Sequence, residues 1–98
     1  MTLSVPIGRI SEICSGHQCY PPSIAISASS NVFAELLPVH RVGDSYIPHC
    51  CLSCHGITTA RGSSSVYVNG RPSAHIGAMA SCSSVMITGA STVWIEGS

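Results

Sequence analysis

The sequence predicts an all-β fold made of three repeated units gathered about a common axis. Three observations carry that expectation. Short runs alternate apolar and polar residues and stop at Gly, Pro, Asn or Ser, the punctuation of short strands. No stretch holds a helical period over several turns. One phrase returns three times along the chain, the mark of a body built from a single small unit.

The strand-like runs are Ser23-Ile24-Ala25-Ile26, Ser65-Val66-Tyr67-Val68, Ser84-Val85-Met86-Ile87 and Thr92-Val93-Trp94-Ile95. Asn69-Gly70 follows the second run and marks a tight turn, because both residues tolerate positive φ. The recurring phrase is Pro, two residues, a basic or imidazole residue, then a β-branched one. It reads Pro6-Ile7-Gly8-Arg9-Ile10, Pro38-Val39-His40-Arg41-Val42 and Pro72-Ser73-Ala74-His75-Ile76. The second and third copies also share what precedes them, Ser29-Ser30-Asn31-Val32-Phe33 against Ser63-Ser64-Ser65-Val66-Tyr67. Ala90-Ser91-Thr92-Val93-Trp94 is a closing half-copy. Phe33, Tyr67 and Trp94 are therefore equivalent and read as core or base packing. Gly43 and Gly77 read as serving backbone geometry.

The length of 98 residues sets a prior of one domain, drawn over 1–98. Formal charge is zero, charged residues are 8% and there is no lysine. Arg9, Arg41, Arg61 and Arg71 are scattered, which argues against nucleic acid and against an anionic membrane surface. The opening residues show no signal peptide, and no apolar run is long enough for a membrane helix. In a chain made in the cytoplasm, six cysteines read as metal ligands or spare thiols rather than disulfides. So little charge also implies that part of the surface meets a partner.

One stretch is dense in metal-binding groups: His49, Cys50, Cys51, Cys54 and His55, in a chain with five histidines in all. The repeat selects among them. His17 follows Arg9, His49 follows Arg41 and Cys82 follows His75 at nearly the same interval. Equivalent positions in a threefold body meet at the axis, and His55 can close the remaining tetrahedral position. The expected site is His17, His49, His55 and Cys82, a closed set of structural type. The metal such a set is expected to take is zinc, with iron as the alternative.

On these phrases the chain resembles the PAAR-repeat proteins, named for a Pro-Ala-Ala-Arg motif. The resemblance spans nearly the whole chain, in a minimal form with His75 where the last motif usually has Arg. It implies a small β-rich cone with pseudo-threefold symmetry and a zinc near the apex held by histidines and a cysteine. It also implies a base seated on a trimeric β-helical spike, one monomeric copy per trimer. The function implied is the piercing tip of a contractile phage tail or a type VI secretion system.

Other readings of the same residues are a thiol oxidoreductase using Cys51 and Cys54, a zinc knuckle of Cys51, Cys54 and His55, and a zinc-binding adaptor. Cys14, Cys19 and Cys50 read as small buried hydrophobes. His40 and His75 read as hydrogen-bonded structural residues. Arg9 and Arg41 read as architectural, bonded to carbonyls or to a carboxylate such as Asp44. No nucleophile and base are juxtaposed in the sequence, and the function expected is not enzymatic.

Overall fold

Where serine phrases alternate with prolines, the chain folds into hairpins only a few residues long. The computed structural model describes residues 4–97. Met1 to Leu3 and Ser98 lie outside the described residues, and so do the start of the leader reading and both ends of the 1–98 domain. The strands are β1 (Ser4–Pro6), β2 (Ile13–Cys14), β3 (Ser23–Ile24), β4 (Phe33–Ala34), β5 (Leu37–Pro38), β6 (Ser45–Cys50), β7 (Cys54–Thr58), β8 (Tyr67–Val68), β9 (Arg71–Pro72) and β10 (Trp94–Glu96). No helix occurs among the described residues. The fold is all-β, as the sequence predicts.

The strands pair antiparallel as β1–β10, β2–β3, β4–β5, β6–β7 and β8–β9. Register bears out the repeat alignment. Phe33 faces Pro38, Tyr67 faces Pro72 and Trp94 faces Pro6. Asn69 and Gly70 make the expected turn with φ of 54° and 78°. The matching turn between β4 and β5 is Glu35-Leu36, with φ of 51° and 72°. Each of these hairpins is entered through a serine whose Oγ accepts two backbone N–H bonds. Ser29 takes those of Asn31 and Val32, and Ser63 takes those of Ser65 and Val66. A hydroxyl that competes for nearby backbone groups favours such a turn over continued strand.

The three proline phrases are bonded to one another. Gly8 N donates to the Ala74 carbonyl (2.8 Å), Ala74 N to the His40 carbonyl (2.9 Å) and His40 N to the Gly8 carbonyl (3.1 Å). The circuit closes on itself. Around it, Ile10 N donates to Pro38 O, Val42 N to Pro72 O and Ile76 N to Pro6 O. Gly8, His40 and Ala74 are all buried, so this ring satisfies peptide groups that water cannot reach. Successive side chains point to opposite sides. Ile7 and Val39 enter one apolar cluster with Ala34, Val68 and Ala90. Ala74 enters another with Cys14, Ala25, Tyr46, Ile57 and Met86. Gly43 and Gly77, each just past a proline phrase, have φ of 90° and 91°, which only glycine adopts readily.

The basic residues of the first two phrases carry ion pairs, buried at Arg41 and partly buried at Arg9. Arg41 Nε donates to Asp44 (2.8 Å) and Arg9 Nε to Glu12 (2.7 Å), while Arg9 Nη1 also reaches Glu35 (3.1 Å). The third phrase has His75 and, in place of the acid, Ala78. The turn itself is kept: Asp44 N, Glu12 N and Ala78 N donate back to Arg41, Arg9 and His75 respectively. His40 is buried, with Nδ1 donating to the Ser27 carbonyl (2.8 Å) and Nε2 accepting from Thr59 Oγ1 (2.7 Å). Burial lowers its pKa. Phe33, Tyr67 and Trp94 are each more than half exposed, so the core-packing reading of these aromatics does not hold.

Candidate metal centre

The longest hairpin carries two of the four expected ligands. In β6–β7, Tyr46 faces Ile57 and His49 faces His55, with a register shift between the two pairs. His55 lies two residues from Ile57, so both point to the inner face. His49 lies three residues from Tyr46 and would ordinarily point outward. The bulge at Ile47-Pro48 supplies the extra residue that restores the phase. Pro48 suits a bulge because it has no N–H to contribute to the ladder. Burial follows: Tyr46 and His49 are buried, Ile47 and Pro48 exposed.

His17 begins a tight hairpin in which His17 N and Tyr20 N each donate to the other's carbonyl (3.1 and 2.8 Å). Gly16 precedes it with φ of 73°, and a Cβ there would stand 2.6 Å from Tyr20 O. Only glycine fits so close an approach. Cys82 sits in the turn Ala80 to Ser83, closed by Ser83 N donating to Ala80 O (3.0 Å).

These segments bring His17, His49, His55 and Cys82 together, one ligand atom from each lying within 4.8 Å of all the others. Tetrahedral ligands at about 2.0–2.3 Å from one zinc stand about 3.3–3.8 Å apart, so the widest pair closes by about an ångström to reach binding distance. The donor states fit as well. The Pro21 carbonyl can only accept, so His49 Nδ1 donates to it (3.0 Å) and Nε2 keeps its lone pair. That Nε2 faces His55 Nε2 at 2.5 Å. His17 Nε2 is buried with no hydrogen-bond partner, an orphan that a cation would satisfy. The pKa of His55 is lowered, first by desolvation and then by His49 and His17, which favours the neutral imidazole that ligation needs. The cluster could bind a metal, and it opens on a shallow depression lined by His17, His55, Gly56, Ser81 and Cys82.

Tyr20 was not singled out from the sequence. Its ring stacks on His17 at 4.8 Å and lies 4.8 and 4.4 Å from the rings of His49 and His55. The thiols are a correction. Cys19 is bonded to Cys51 and Cys50 to Cys54, and all four are exposed. Cys19 and Cys50 are therefore not buried hydrophobes, and the six cysteines are not all spare thiols or ligands. Cys51 and Cys54 have different partners, so they are neither a dithiol pair nor two ligands of a knuckle. A signal for Cys19–Cys51 was present in the repeat: each follows its histidine, His17 or His49, by the same step. Cys14 and Cys82 remain free, Cys14 buried in the core as expected.

The family model for the PAAR motif matches residues 15–88, a span that holds all four clustered residues. No curated protein matches the chain.

Proposed function

The chain belongs to the PAAR-motif family, known from the spike tips of contractile injection systems, and on that premise we propose that it caps and sharpens such a spike. The observation that carries this reading is the closed ring of hydrogen bonds among the three proline phrases. We read it as the axis of a pseudo-threefold body. A threefold tip can seat on a trimer with every subunit making an equivalent contact. Phe33, Tyr67 and Trp94 stand exposed opposite the three prolines, which supports an apolar base for that seat. The partner is a trimeric β-helical spike binding one copy, in a phage tail or a type VI secretion system.

In this reading His17, His49, His55 and Cys82 hold zinc. The ion joins three chain segments beside a small core in which Cys14, Tyr46, Ile57 and Met86 pack among alanines. Structural zinc supplies on the order of 10 kcal/mol of folding free energy, which exceeds what so small a core contributes alone. With four protein ligands the ion has no open position for substrate, so its part is mechanical.

Native mass spectrometry with a purified trimeric spike tests the seat. One chain per trimer is expected, and failure to bind any spike, or binding of three copies, overturns it. Elemental analysis is expected to give about one zinc per chain; folded protein without metal refutes the site.

A further inference from the structure

We propose that the Cys19–Cys51 and Cys50–Cys54 disulfides form a redox lock on the metal centre. Oxidised, the first ties the two ligand-bearing hairpins together and the second closes the turn of one of them; reduced, they leave the same ligands in place but free the ion to exchange. The inference rests on the reading that His17, His49, His55 and Cys82 hold a metal.

The placement of the sulfurs carries it. His17 lies on one hairpin and His49 with His55 on another. The hydrogen bonds between these two segments are His49 Nδ1 to the Pro21 carbonyl, Ser23 Oγ to the Ile47 carbonyl and an exposed Tyr20–Ser53 hydroxyl contact at 3.4 Å; beyond them the imidazoles meet through ring contacts with His17 and Tyr20. The Cys19–Cys51 bond ties them covalently, with Cys19 in the turn of the His17 hairpin and Cys51 just past β6. The Cys50–Cys54 bond closes the turn end of the other hairpin, one pair beyond His49 and His55. Cys82, the single thiol in the ligand set, is left unpaired. The pairing thus spends the four exposed cysteines on tethers and spares the one facing the cluster.

The depression beside His17, His55 and Cys82 is a way out to solvent that crosses no packed core. Departure of the ion therefore depends on how far a released imidazole can drift before it rebinds. A tether keeps the local concentration of that imidazole high. Because the four cysteines are exposed, they are open to external thiols and disulfides. The thiolate of Cys19 attacks a small-molecule disulfide, forming a mixed disulfide and expelling one thiolate. The Cys51 thiolate then attacks Cys19 Sγ and expels the second. Two protons leave the cysteines, and two electrons reduce the small disulfide to two thiols. Cys50 and Cys54 close in the same way, and excess thiol reverses both.

The test uses the full chain loaded with zinc, oxidised with glutathione disulfide or reduced with a phosphine, the bonds counted by alkylation and mass shift. Release to the chelator pyridylazoresorcinol is expected to be about tenfold or more slower from the oxidised form. Cys19→Ser/Cys51→Ser is expected to release at the reduced rate in either medium. The cobalt(II)-loaded protein is expected to show the same d–d bands in both states. Equal release rates overturn the lock while leaving the metal site standing. So do four free thiols after oxidation, or a cobalt spectrum that gains sulfur charge transfer on reduction. Zinc in neither form overturns the lock together with the reading beneath it.

Discussion

Asp44 is the acid whose removal tests the architecture most sharply. Its carboxylate accepts from Arg41 N (2.9 Å), Nε (2.8 Å) and Nη2 (3.1 Å), and from Ser27 Oγ (3.2 Å). Burial alone raises its pKa, but the Arg41 bonds and charge outweigh this and leave it lowered. Asp44→Ala strips these bonds and leaves the Arg41 guanidinium buried without its counter-charge. Each charge-assisted bond is worth about 1.5–3 kcal/mol, but such bonds do not add. Breaking one side of a buried pair costs about 3–5 kcal/mol, the figure expected here. The third phrase shows the remedy, since His75 and Ala78 keep the same turn without an ion pair. Arg41→His/Asp44→Ala copies it and is expected to cost about 1–3 kcal/mol less than the two single changes summed. Urea unfolding of zinc-saturated protein, followed by circular dichroism, reads all four corners of the cycle. A loss under about 1 kcal/mol for Asp44→Ala, or strict additivity, refutes the reasoning.

Other expectations follow from single contacts. His17→Ala removes a ligand, and elemental analysis should find the zinc content sharply reduced. Leu36 is 93% exposed and has φ of 72° in a turn whose counterpart ends in Gly70; Leu36→Gly should stabilise by about 0.5–1 kcal/mol in urea unfolding, and Gly70→Leu should do the opposite. Glu35 has its pKa lowered from 4.5 to about 2, chiefly by the Thr92 hydroxyl and also by Ser91. A depressed folded pKa gives stability that is complete above 4.5 and lost as pH falls towards 2; Glu35→Gln should remove that part of the acid dependence in a stability-versus-pH series. The Cys19–Cys51 bond closes a separation of 32 residues and Cys50–Cys54 one of 4. Replacing the first pair by serine should cost about 3.5 kcal/mol and the second about 2, by unfolding under oxidising conditions.

The threefold phrase was legible because each copy is local. Ser29 and Ser63 announce their hairpins, Asn69-Gly70 announces its turn, and equal phase led from Arg9, Arg41 and His75 to His17, His49 and Cys82. The β6–β7 hairpin was not legible. Pro48 and the run of Cys, Ser and Gly around it look like loop, and the strand becomes visible only once a bulge is allowed between Tyr46 and His49. The disulfides are not legible because a cytoplasmic origin argues for free thiols, although Cys19 and Cys51 stand in step with their histidines. Tyr20 is not legible because nothing in a single sequence marks a ring that packs over imidazoles from three separate segments. Arg9 was expected to bond a carbonyl or a carboxylate; its partners, Glu12 and Glu35, became visible only when the chain was folded.

β1 pairs with β10, and Ile76 N returns to the Pro6 carbonyl. A nascent chain emerging from the ribosome can close β4–β5, β6–β7 and β8–β9 as they appear, but not β1. Its first segment must wait, edge unpaired, until residues 94–96 have been made. Of the five strand pairs among the described residues, β1–β10 spans the most sequence, so it has the largest loop to close.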